Sequence, residues 1–162
     1  MTETAEPFWS FTLAFYGQPG VSPACIALQD RHGCDVNLLL YACWVGLSGR
    51  GRLAAADLAR AAELNAPWRG RVIETLRAAR RALREEDRRG PILELYEAAK
   101  AAELAAERIA QRRLQTLAPA ETVTDPAARR GDAAANLRTY LAGKPADSDA
   151  APIFAAIEAA SG

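Results

Sequence analysis

The chain has 162 residues, half of them apolar and a quarter charged, with 20 basic and 20 acidic side chains. That length suits one domain that buries roughly 70% of its unfolded surface, so it needs no disulfide or structural metal to hold it. Zero net charge excludes a protein that binds nucleic acid through bulk electrostatics.

The first seven residues hold two Glu and no basic residue, so no signal peptide is expected. The most apolar run, residues 38–47, is about half of a membrane span. Three cysteines form no C-x-x-C pair. A reduced, cytoplasmic location is therefore expected, with no membrane contact. Alanine dominates and β-branched residues are sparse over long stretches, which favours helix.

Residues 8–16 read as a short helix holding five of the eleven aromatics. Phe8, Phe11 and Phe15 share one face; Trp9, Leu13 and Tyr16 share the next. Two apolar faces must be covered, by the domain or by a partner. A turn follows at residues 17–20. Ser22 then reads as an N-cap with Pro23 at the first helical position, and the helix stops at Gly33. Asp35 caps the next helix, which is apolar nearly all round and therefore belongs at the centre of the fold. Gly46, Gly49 and Gly51 end it and open a loop.

Residues 53–64 predict a short helix broken at Asn65-Ala66-Pro67. An amphipathic helix follows over residues 68–88, with Val72, Leu76, Ala79 and Leu83 as its apolar stripe. Arg89-Gly90-Pro91 is a sharp break before a long helix over residues 92–117, whose stripe is Tyr96, Ala99, Ala106, Ile109 and Leu117. So short a connection makes these two an antiparallel hairpin. Residues 119–131 read as a linker. Residues 132–141 and 149–160 predict two helices too short to be stable alone, which either dock on the body or fold on a partner.

The fold class expected is all-α: a bundle of about six helices with a buried central helix, a long helical hairpin and a short-helix tail. The division expected is a helical domain over residues 1–118, a linker over 119–131 and a tail over 132–162.

Several segments carry a family pattern: Trp9-Ser10-Phe11, Tyr16, residues 24–30, Gly33, residues 35–40, Trp44, Trp68-Arg69 and residues 76–81. In that order they resemble an uncharacterised family of small proteobacterial proteins, catalogued as a domain of unknown function, over residues 8–84. The resemblance implies a bacterial, soluble, helical protein and no particular activity.

Six constellations bear on chemistry. Cys25, His32, Cys34 and Cys43 supply soft ligands near one turn, but their spacing does not match a zinc knuckle, and two of the thiols sit on apolar stripes. A helix-turn-helix reading fails because Val36, Leu40 and Tyr41 stand where base-reading polar groups belong, so DNA is not the expected ligand. The single His, beside Asp30 and Asp35, has no serine elbow to serve, so no catalytic residue is assigned. Residues 46–52 are Gly-rich and basic but follow a helix rather than a strand, so no phosphate loop, cofactor or metal site is assigned.

Two constellations remain. Arg77, Arg80, Arg81, Arg84 and Arg88 share one helix face, and residues 68–91 hold eight basic and four acidic side chains. That face suits an acidic protein partner, RNA phosphates or an anionic ligand. Gln29 and Asn37 flank Gly33; they are expected to hydrogen-bond each other, or to line a pocket bounded by Tyr41 and Trp44. The leading expectation is a non-enzymatic protein-binding or adaptor module using the arginine face. The alternative is a small-molecule-binding bundle or enzyme with its pocket at Gln29, Asn37, Tyr41 and Trp44.

Overall fold

Every residue from 37 to 46 is buried in the computed structural model, which describes residues 5–161. A segment with no polar face has to be surrounded, and the rest of the chain is wrapped around this one. The helices are α1 (Pro7–Tyr16), α2 (Val21–His32), α3 (Val36–Leu47), α4 (Ala55–Trp68), α5 (Glu74–Arg84), α6 (Gly90–Gln115), α7 (Pro126–Leu141) and α8 (Asp147–Ala159), with a π turn at Arg69–Ile73 between α4 and α5. Since α4, the π turn and α5 run on without a gap, the described residues form seven rods and no strand. None of the helices is long and apolar enough to cross a membrane. Residues 1–4, most of the stretch read as lacking a signal peptide, lie outside the described residues.

The turn into α3 follows its sequence closely. Gly33 ends α2 with φ +63°, and the Asp35 carboxylate accepts from the Asn37 N–H at 3.0 Å. The other Asp35 oxygen accepts from Asn65 Nδ2 at 2.7 Å, which ties α4 to the turn. Tyr140 on α7 accepts from the Asp35 N–H at 2.7 Å and donates to its C=O at 3.1 Å. At the start of α2 the expected cap is corrected. The helix begins at Val21 with Gly20 as N-cap, so Ser22 lies inside the first turn.

The expected break at Pro67 does not occur. Proline removes one backbone hydrogen bond, yet α4 continues through it and opens directly into the π turn. Both sides are fastened to the body: Asn65 to Asp35, and Trp68 Nε1–H to the Ala106 carbonyl at 2.9 Å. Those anchors keep the rod in line. A widened turn is one way a helix re-phases its faces without bending away.

The helices after residue 118 join the main core. Leu137, Leu141, Ile153 and Ile157 are buried in one cluster with Phe8, Leu28, Leu39 and Trp44. α7 makes the most extensive contact with α3, and α8 lies along α2. α7 begins at Pro126, inside the stretch read as a linker. Asp125 caps it by accepting from the Ala128 N–H at 2.7 Å, and a proline suits the first helical position. The segment before it is pinned as well. Thr122 and Val123 donate their N–H groups to the Gly49 carbonyl at 2.8 and 2.9 Å, and Arg50 reaches Pro119 O and Glu121. Arg31 and His32 each meet Asp149 at 2.8 Å, closing α8 on α2.

Asn136 on α7 is buried among polar backbone groups. It accepts from the Leu53 N–H at 2.7 Å and donates to the carbonyls of Ala42 and Gly51. Asn136→Ala strands the Leu53 donor and is expected to lower stability by about 2 kcal/mol in urea unfolding. An unchanged midpoint would show that this loop finds another partner.

Candidate functional site

α5 and α6 form the expected antiparallel hairpin, and its inner half closes against α1, α2 and α3 to leave a cleft of about 1250 Å³. The cleft has a polar floor built on three residues of α6. Glu103, Glu107 and Gln111 recur at every fourth position, so they stack on one face, directed at α5, α3 and α1 in turn.

Hydrogen bonds run along the floor without a gap. Thr12 Oγ1–H donates to Gln111 Oε1 at 2.8 Å, and Gln111 Nε2 donates to Asn37 Oδ1 at 3.0 Å. Asn37 Nδ2 donates to Glu107. Arg77 bridges the two carboxylates, its Nη2 to Glu107 at 2.9 Å and its Nε to Glu103 at 3.0 Å. Arg80 completes the chain on Glu103. Thr12, Asn37 and Gln111 are buried, and buried polar groups are tolerable only when paired in this way.

Burial sets the two carboxyls apart. Glu107 is pushed above the ordinary carboxylate range by burial, which outweighs the stabilising contacts of Asn37 and Arg77. Glu103 is also raised by burial, but Arg80 and Arg77 outweigh that and hold it below the usual range. Two carboxyls on successive turns of one helix are therefore shifted in opposite directions.

The walls are apolar. Trp9, Leu13 and Tyr16 of α1, Ile26 of α2, Val36 and Leu40 of α3 and Leu104 of α6 face the opening. Leu13, Ile26 and Leu104 remain 58%, 49% and 55% exposed. Three large aliphatic side chains on three helices, exposed around one opening, form a patch that the fold itself does not cover.

The structure separates the candidate residues read from sequence. Gln29 and Asn37 both line the cleft, but they do not bond to each other: Gln29 turns to Asp30 at 3.4 Å, while Asn37 is engaged by α6. Tyr41 and Trp44 do not line it. They are 1% and 2% exposed, packed against Phe8 in the core with the Phe8 and Trp44 rings stacked at 4.9 Å. Burial pushes the Tyr41 hydroxyl up to about 12.

The arginine stripe turns toward the cleft rather than outward. Arg77 and Arg80 are consumed by the floor, Arg81 meets Asp30 at 3.2 Å, Arg84 meets Glu85 at 3.7 Å, and Arg88 stacks over Tyr96. Four arginines and four acids, Asp30, Glu85, Glu103 and Glu107, line the cleft together. The local positive charge of the sequence is thus balanced by acids from α2 and α6.

The soft ligands weighed for zinc do not converge on the cleft. Cys25, Cys34 and Cys43 are buried free thiols, and burial pushes Cys25 up to about 12. His32 is engaged by Asp149. A smaller recess of about 310 Å³ lies beside the π turn, between Asp35, Arg69 and Glu74. Its buried carboxylate is already satisfied by Asn37 and Asn65.

Glu103, Glu107, Gln111 and Thr12 were not singled out in the sequence. The available signal was their spacing, since polar residues at every fourth position interrupt the inner stripe of α6. Thr12 had no such signal, because a lone hydroxyl between aromatics reads as a helix-surface residue.

Fold and site together define an all-α bundle with a large interhelical cleft. The chain belongs to the protein family of unknown function DUF2390, whose model matches residues 7–114. The match extends beyond the resemblance at residues 8–84 and takes in every residue that lines the cleft; α7 and α8 lie outside it. No curated protein and no solved structure matches the chain.

Proposed function

We propose that the protein is a non-enzymatic binding module that takes an amphipathic helix of a partner protein into this cleft. The observation that carries the reading is the exposed apolar triad Leu13, Ile26 and Leu104 set around a floor whose polar groups are already satisfied. Such a surface gains from covering its apolar walls and asks for few new hydrogen bonds, which is how a helix seats in a groove. Size supports the same occupant. Small-molecule pockets run to about 300–1000 Å³, whereas about 1250 Å³ of open cleft suits roughly ten residues of α-helix. Arg81 and Arg84, both more than half exposed at the rim, suit acidic residues flanking the partner's apolar stripe. The balanced charge of the lining argues against RNA, which would need an excess of cations.

The test is affinity purification with wild-type protein beside Leu104→Glu and Arg81→Glu/Arg84→Glu variants. A direct partner is expected to bind Leu104→Glu about thirtyfold more weakly, the scale of a central contact, and the rim variant severalfold more weakly. All three proteins should melt alike, because these side chains are exposed. Arg80 is unsuited to this test, since Glu103 depends on it. A partner that binds all three equally would overturn the reading.

A second reading, a small-molecule site on the same floor, is favoured by Glu107, a cleft carboxyl raised by burial. A metabolite that raises the melting temperature of the wild type but not of Gln29→Ala, in the absence of any protein partner, would move the conclusion there.

A further inference from the structure

The side of α6 facing away from the cleft carries a second unpartnered surface. Leu95, Ala98, Ala102, Ala105 and Ile109 recur at alternating spacings of three and four, the a and d positions of a heptad. Every one of the five is exposed, Leu95 by 56% and Ile109 by 38%. At 100° per residue this seam lies roughly opposite Glu103, Glu107 and Gln111. The sequence had placed Ile109 on the inner stripe; the structure gives that stripe to Ala106, Ala110 and Leu114 instead.

We infer that α6 pairs with α6 of a second copy of this chain, antiparallel, along the seam Leu95–Ala98–Ala102–Ala105–Ile109. The charges beside the seam select this occupant and this direction. The flanking g positions are Glu94, Ala101 and Arg108. In an antiparallel pair, g positions of the two helices face each other, so Glu94 meets the partner's Arg108 twice across the two-fold axis. In a parallel pair, g faces e of the next heptad, and Arg108 meets the partner's Arg113, a repulsive contact. Arg108 is already oriented at this edge by Glu6, at 2.6 Å from its Nε. Alanine at positions 98, 102 and 105 lets the axes approach to about 8 Å; the layers in which seam residues face each other, 95 to 105, span about 15 Å, and Ile109 lies one layer beyond them. No described segment of the chain is left over to cover it, since α7 and α8 are committed to the core. The dimer surface is separate from the cleft and does not depend on the reading of it.

In the antiparallel register Ala98 faces the partner's Ala102 and Leu95 faces the partner's Ala105. Two copies of residue 95 then lie about 15 Å apart along the axis, beyond the Cα separation of about 7 Å that a disulfide spans. Sedimentation at about 100 µM is the first measurement, because an interface this short lies at the weak end of the size range. A dimer is expected for the wild type and a monomer with the same circular dichroism melt for Ala102→Glu, whose site is exposed. Under mild oxidation, tagged Ala98→Cys is expected to couple to untagged Ala102→Cys, whereas Leu95→Cys does not couple to itself. The chain's own three thiols are buried, so the wild type is the uncoupled control. A monomeric wild type, a dimer that survives Ala102→Glu, or self-coupling of Leu95→Cys would each overturn the inference.

Discussion

Gly46→Ala is expected to be among the most damaging single substitutions in this protein, lowering stability by about 3 kcal/mol or more. A Cβ built on Gly46 would stand 2.2 Å from the backbone nitrogen of Ala133 and 2.3 Å from its Cα. Both atoms belong to α7, which lies along α3 at its most extensive contact. A side chain can rotate away from such an intrusion; a backbone cannot, so the two helices must separate. Separation opens the core on both sides, where Ala42, Val45, Ala134 and Leu137 are packed. A loss of that size should move the melting temperature by about 10 °C in a domain of this length. Gly70→Ala is the matched control. Gly70 also lies within a helical segment, but its added Cβ meets nothing within 4 Å. There the substitution is expected to be neutral or to stabilise by up to about 1 kcal/mol, because alanine has less backbone freedom to lose. Equal stability for Gly46→Ala and wild type would show that α3 and α7 do not cross this closely.

The sequence placed Gly46 differently, as the residue that ends the central helix. That difference marks where sequence reading stops. Periodicity reveals which faces are apolar, so the buried α3, the cap at Asp35, the stop at Gly33 and the α5–α6 hairpin could all be read directly. Periodicity does not reveal which helix covers which face. The need for a glycine at 46 depends on Ala133, 87 positions away, and nothing local announces it. Pro67 failed as a signal for a related reason. Local propensity argued for a break, and two distant anchors, Asp35 and the Ala106 carbonyl, outweighed it.

The same distinction explains what could be read of the candidate site. Gln29, Asn37 and the arginine stripe were recognisable as polar groups without an obvious role, and the structure brings them to one cleft. Their partners could not be read, because Glu103, Glu107 and Gln111 come from a helix some seventy residues from Asn37. Without those partners the stripe looked like free positive charge and the two amides looked like a local pair. Tyr41 and Trp44 were drawn toward the site because they neighbour Asn37 in sequence. On a helix buried all round, residues four and seven positions apart still meet different neighbours, and these two met Phe8.

Arg77→Ala tests the floor most directly, and its effect should depend on pH. Among the described residues the guanidinium is the only group that touches both floor carboxylates, through Nε and Nη2 at once. Removing it leaves Glu107 with Asn37 alone and Glu103 with Arg80 alone. Breaking a buried pair by deleting one partner typically costs 3–5 kcal/mol; partial exposure of these side chains places the expected loss at the lower end, about 3 kcal/mol at pH 8.

Between pH 5 and pH 8 the pH dependence follows from Glu107, and Glu103 acts only below that window. Glu107 has a folded-state pKa above its unfolded value, so the folded protein binds more protons and is weakened as pH rises from about 4.3 through that folded value. Loss of Arg77 drives Glu107 further in this direction. Glu103 has a folded-state pKa below its unfolded value. Its contribution is present above about 4.3 and is lost as pH falls through the folded value. Loss of Arg77 removes part of that contribution, and only where it exists. Glu107 therefore makes the difference between wild type and Arg77→Ala larger at pH 8 than at pH 5, whereas the Glu103 contribution, already present above about 4.3, is lost nearly equally at both. Denaturant unfolding at the two pH values measures it. Arg77→Lys should be damaged less than Arg77→Ala but not restored, because a single ammonium cannot span two carboxylates as a planar fork does. An equal loss at both pH values would assign the effect to the Glu103 contact and the aliphatic stem of Arg77 rather than to Glu107. No loss at all would mean that the carboxylates are not held by this residue, and the cleft would then lack the satisfied floor that makes its apolar rim a binding surface.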